Sequence, residues 1–183
     1  MRISRREFLA VCAAQVDVRA GCPDTASVID LGSGCLLPES LAGFRSVVAG
    51  SRILRGAGLI IPGAGILSKG MAGAVQQRLR SGGSVLLESA VGLTQQRIAS
   101  PYVPYVDFTW PVRTLIREFY PLPLNPRVGD AVIATFDHQP VALRRGGLIL
   151  LGSPVGSALL AGDPDAYRWV ASVLRWMRSR AEG

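Results

Sequence analysis

The chain has 183 residues, 49% of them apolar and only 18% charged, with a formal net charge of +7 and a mean hydropathy of +0.30. That length suits one domain with a sizeable core, and the lack of any unbroken run of about 18 apolar residues argues against a membrane-spanning helix. The charge comes almost wholly from scattered arginines, Lys69 being the only lysine, and without a basic stripe interleaved with aromatic residues no nucleic-acid site is expected.

At the N-terminus, Ser4, Arg5, Arg6, Phe8 and Leu9 in "SRREFLAVCAA" resemble a twin-arginine export signal, in which paired arginines precede an apolar stretch. The apolar stretch here is short, since Gln15, Asp17 and Arg19 interrupt it after Ala14. Residues 1–25 are therefore expected to be either such a signal or an N-terminal arm. A working signal implies a periplasmic or membrane-associated protein, and an arm implies a cytoplasmic one. Cutting near Ala14 leaves Cys22 and Cys35, a pair able to bridge in an oxidising compartment. With no CxxC and no Cys/His cluster, no metal site is expected.

From residue 26 onward, strand and helix signals alternate. "SVIDLG" (residues 27–32) is a short apolar run ended by glycine, as in a buried parallel strand. "LPESLAGFRSVVAG" (residues 37–50) reads as a helix, with Leu37, Leu41, Phe44 and Val48 on one face and Gly50 as its stop. "GLIIPGAG" (residues 58–65) is a second strand running into a Pro-Gly turn. Met71, Val75 and Leu79 recur every four residues over 69–80 and predict a helix that Gly82 and Gly83 end. "SVLLES" (residues 84–89) is a third strand. This alternation calls for a three-layer α/β domain over residues 26–183: a mostly parallel sheet flanked by helices.

Residues 95–130 read as an excursion from the sheet, rich in aromatic residues and proline. A short helix is expected over 111–119. In an extended run, Tyr102, Pro104, Val106, Phe108 and Trp110 share one face and pack inward, while Tyr105 with Asp107 faces the loop ends or a partner. "AVIATF", "PVALRR" and "GLILLG" then read as a C-terminal β-hairpin region joined by tight turns at "DHQ" and "GG". The final amphipathic helix has Asp163 as N-cap, Pro164 at its first position and an apolar face of Ala166, Trp169, Val170, Val173, Leu174 and Met177. Trp176 lies near the edge of that face.

Ligands of such sheets sit beyond the carboxyl ends of the strands. Here those ends are "GSGC", "PGAG" and "ESAVG", which makes Cys35, Gly63, Gly65 and Ser89 candidates for a ligand or partner site, with Ser153 after the last strand and Tyr105 and Asp107 from the excursion. The order of elements resembles the class I glutamine amidotransferase-like superfamily, a flavodoxin-like α/β fold. "LIIPGAG" looks like its oxyanion-hole strand and "GGSVLLESAVG" like its nucleophile elbow. "PVALRRGGLILLGSPVG" looks like the region before its catalytic histidine.

The resemblance implies a cysteine at the elbow and a histidine after the last strand, but this chain has Ser89 at the first place and Gly152, Ser153 and Pro154 at the second. The expectation is a degenerate member, a pseudoenzyme without the Cys/His pair, with no cofactor. It would act as an accessory or binding subunit that engages a protein partner, in keeping with the high apolar share. Peripheral membrane association through the basic end of the last helix stays open, as does the oligomeric state. The alternative is a serine hydrolase using Ser89 with His138, the only histidine, and Glu88 or Asp107 as the orienting acid.

Overall fold

A computed structural model describes residues 25–29, 40–41, 44, 47–49, 58–63, 67–88, 105–117, 121–152 and 155–182. The twin-arginine-like segment lies outside the described residues, as do Cys22, Cys35, Gly65, Ser89, Ser153 and the aromatic stretch before Tyr105.

β1 (Ala26–Val28), β2 (Val47–Ala49), β3 (Gly58–Ile61) and β4 (Ser84–Glu88) pair in parallel with one another, and β9 (Leu148–Leu151) joins β4 in the same sense. Beyond β9 every pairing is antiparallel, through β8 (Gln139–Arg145), β7 (Ala131–Phe136), β5 (Val106–Phe108) and β6 (Thr114–Ile116). The full order is β2-β1-β3-β4-β9-β8-β7-β5-β6. The sheet is thus mixed and only partly parallel, which corrects the expectation of a mostly parallel one. Two-residue turns can join only antiparallel neighbours, and such turns at Asp137–His138 and Gly146–Gly147 govern this half. Asp137, His138 and Gly146 carry φ of 47°, 63° and 54°, the left-handed backbone that tight hairpin turns need.

Three helices are described along their whole length: α1 (Lys69–Arg80), the short α2 (Gly156–Leu160) and the C-terminal α3 (Pro164–Glu182). Strand alternation sends neighbouring residues to opposite faces. Leu59, Ile61 and Val85 cluster with Val75, Met71 and Leu79 of α1. Ile60 and Leu86 cluster with Trp169, Val170, Val173 and Met177 of α3. β3 is buried along its whole length because helices cover both of its faces. α1 starts at Ser68, whose hydroxyl accepts from the Met71 amide at 3.3 Å, and it ends before Gly82 at φ 81°.

Two predicted helices are corrected. Ser40 and Leu41 are helical, but Val47–Ala49 is a strand in register with Ala26–Val28. The β-branched Val47–Val48 pair suits an extended edge, and its backbone groups gain a ladder partner there. The helix expected over 111–119 is replaced by β6, in which exposed Leu115 stands between buried Thr114 and Ile116. Residues 105–117 therefore extend the sheet rather than leave it.

The outer edge of β6 is closed by α3. Asp163 caps that helix by accepting from the Asp165 amide at 2.8 Å, and its second oxygen accepts from the Arg117 amide at 2.9 Å. Asp165 accepts from the Leu115 amide at 3.1 Å. Carboxylates thus satisfy the edge amides that would otherwise template pairing with another chain.

Candidate functional site

The parallel strands end together at one edge. Ile61 leads through Pro62 into Gly63, a buried turn residue at φ 58°. Beside it, β4 ends in Glu88, which is level with Leu151 of β9, and Leu151 is level with Ala142 of β8. Of the candidates expected to converge here, Gly63 and Glu88 are at the edge, while Cys35, Gly65, Ser89 and Ser153 lie outside the described residues.

Glu88 is completely buried. Its Oε1 accepts a hydrogen bond from the Val155 amide at 2.9 Å. The carboxylate therefore ties the end of β4 to the connection between β9 and α2. A buried carboxylate keeps its place only when donors satisfy it, so this bond fixes the start of α2 against the end of β4. Sequence reasoning took Glu88 only as an alternative acid and missed this role, which rests on a residue 67 positions away.

At Gly152 the edge is closed. Its amide donates to the Val141 carbonyl at 2.8 Å. A Cβ placed on Gly152 would run into the Leu122 carbonyl and would stand 3.0 Å from Leu124 Cγ. Residues 121–127 thus cross the end of β9 as a strap, held by the Leu124 amide donating to the Pro140 carbonyl at 2.7 Å. No side chain fits at Gly152 while the strap is there.

His138 is exposed at the tip of the β7–β8 hairpin, which projects from this same edge. It lies two strands across from Glu88 and four residues beyond Ala142. Strand spacings convert this to about 10 Å sideways and about 13 Å along, so the register does not bring His138 to Glu88. Tyr105 and Asp107 are further still, because β9, β8 and β7 stand between β4 and β5.

The alternation expected there holds for the described residues. Val106 and Phe108 are buried and Trp110 is partly buried, while Tyr105 is 47% exposed. The Asp107 carboxylate binds Arg113 at 3.2 Å, and the Arg117 guanidinium lies 4.9 Å from the Tyr105 ring centre. These two candidates form a separate surface cluster at the far side of the sheet. Among the described residues, no three His, Cys, Asp or Glu side chains gather as metal ligands, and no helix is long and apolar enough to cross a membrane.

No protein-family model and no curated protein matches the chain in sequence. Solved structures do match in shape. A glutamine amidotransferase superimposes with a TM-score of 0.56 at 14% identity, over 87% of this chain and 100% of that one. Alpha-L-fucosidase isoenzyme 2 from Paenibacillus thiaminolyticus gives 0.52 at 15% identity, over 94% of this chain and 36% of that longer one. A putative ThuA-like protein from Bacteroides uniformis gives 0.48 at 12% identity, over 83% and 93%. At such identities the likeness concerns architecture alone: the fold is similar to class I glutamine amidotransferase-like folds.

Proposed function

We propose that the chain is a non-catalytic amidotransferase-like domain that serves as an accessory or binding subunit for a protein partner. The observation that carries this reading is Gly152. In the resemblance it stands where the catalytic histidine begins its motif, and here the Leu122 carbonyl fills the space of a Cβ. A cysteine–histidine mechanism needs an imidazole beside the nucleophile to form the thiolate. In that resemblance Ser89 stands for the cysteine and Gly152 for the histidine, so neither member of the pair is present. The twin-arginine-like segment fits an exported accessory protein, and retention of Arg5→Lys/Arg6→Lys in the cytoplasm tests that part.

A fluorophosphonate probe together with a glutamine hydrolysis assay tests the main reading. The expected result is neither labelling nor ammonia release by the purified chain. Labelling that disappears in Ser89→Ala would end the accessory reading in favour of a serine hydrolase.

A further inference from the structure

The opposite edge of the sheet, where the parallel strands begin, gathers guanidinium groups. Arg144 on β8 lies over the Trp110 ring at 4.9 Å, Trp110 meets Trp176 edge to face at 4.9 Å, and Arg180 lies over Trp176 at 5.6 Å. Two arginines and two indoles thus form a single ladder joining β8, the β5–β6 turn and the last turns of α3. Arg78 reaches this edge from the other face. A Cβ on Gly83 would stand 2.6 Å from Arg78 Nε, and one on Gly147 would stand 3.6 Å from Arg180 Nε. Gly83 leaves room for the Arg78 side chain, whereas at Gly147 the close neighbour is the Gly83 carbonyl and Arg180 stands at ordinary contact distance.

Acidic partners for this group are missing among the described residues. The ion pairs there take up Arg113, Arg145, Arg168 and Arg178. None includes Arg78, Arg144 or Arg180. The Nε atoms of Arg78 and Arg144 are buried without a hydrogen-bond partner among the described residues. A guanidinium stacked on an indole is held in plane, and its terminal N–H groups can grip a carboxylate or phosphate with two bonds.

We propose that the Arg144–Trp110–Trp176–Arg180 ladder docks an acidic segment of a partner protein, Arg144 and Arg180 each taking a carboxylate. The proposal rests on the partner-engaging reading given above. Three contact steps bound the separation of the two guanidiniums, a span that about five residues of extended chain cover at about 3.3 Å each. A polypeptide fits better than a nucleic acid or a bilayer because both indoles are partly buried and occupied by each other and by the arginines. Neither is offered for stacking on a base or for the headgroup layer.

Fluorescence anisotropy of the full chain with a fluorescein-labelled deca-glutamate peptide tests this surface. Arg144→Gln/Arg180→Gln should weaken binding at least tenfold. Arg113→Gln/Arg175→Gln, which removes the same charge elsewhere, should change it less than twofold. Arg180→Gln alone should weaken binding about threefold or more while leaving the melting temperature of the chain unchanged, which keeps the test independent of packing around Trp110. Equal weakening by the two double variants would mean that net charge alone binds the peptide, and would overturn the proposal. Tighter binding of a twenty-residue oligothymidine, or of phosphatidylcholine vesicles holding phosphatidylglycerol, through the same two arginines would overturn the polypeptide assignment. Peptide binding through the ladder by a chain that also labels at Ser89 would keep this surface and end the accessory reading alone.

Discussion

Trp169→Ala should be among the most damaging single changes in the domain. Trp169 is 0% exposed, its ring lies 4.6 Å from that of Phe108, and its Nε1 donates to the Trp110 carbonyl at 2.9 Å. Truncating a large buried aromatic costs about 3–5 kcal/mol, of which an aromatic pair supplies about 0.5–1.5 kcal/mol. The Trp110 carbonyl also loses its donor, which adds about 1 kcal/mol where water cannot replace it. An apolar gap lined by Leu41, Ile60, Leu86 and Val155 already adjoins Trp169, so the truncation enlarges a cavity that the rigid sheet cannot close. We therefore expect about 4–5 kcal/mol.

Urea denaturation should show this as a fall in midpoint with an unchanged slope, and thermal melting as a fall of about 8–20 °C for a chain of this size. Trp176→Ala, at the partly buried margin of the core, should cost about 1–2 kcal/mol by the area it leaves exposed to water. Equal losses at the two positions, or a loss below about 2 kcal/mol at Trp169, would show that the packing assigned to α3 is wrong.

Gly152→Ala should destabilise the chain by about 1–3 kcal/mol, the cost of forcing extra volume against backbone, and melting of the variant checks it. Asp163→Asn/Asp165→Asn keeps neutral acceptors at the helix cap but weakens the hold on the Leu115 and Arg117 amides; light scattering should show more self-association than in the parent chain. The Asp130 carboxyl is held below its ordinary value by the hydrogen bond from the Arg127 amide first and then by the Arg145 guanidinium. Its stabilising contribution is therefore full above the unfolded carboxylate range, at about pH 5 and higher, and is lost as pH falls below about 4. Asp130→Asn should flatten the acid limb of the melting temperature against pH, and an unchanged limb would remove Asp130 from the account.

Much of the frame could be read locally. The unbroken apolar run Gly58–Ile61 requires cover on two faces. The four-residue spacing of Met71, Val75 and Leu79 between Ser68 and Gly82 defines a helix with its own start and stop. The α3 face from Ala166 to Met177 and the turns at Asp137–His138 and Gly146–Gly147 are likewise stated by nearest neighbours, because hydrophobic period and turn chemistry act over a few residues.

Four features depended on residues far away in the chain. Val47–Ala49 has helix-compatible spacing but becomes a strand because β1 offers it a ladder. Thr114–Ile116 becomes an edge strand because Asp163 and Asp165 satisfy its outer amides. The closed end of β9 likewise depends on Leu122 meeting Gly152, and the basic ladder on Trp110 meeting Trp176. Sequence by itself determined which segments were helix or strand wherever local preference was strong. Tertiary structure decided the weakly biased segments and the state of both sheet edges, because a backbone amide or a guanidinium takes its environment from whichever distant group the fold places beside it.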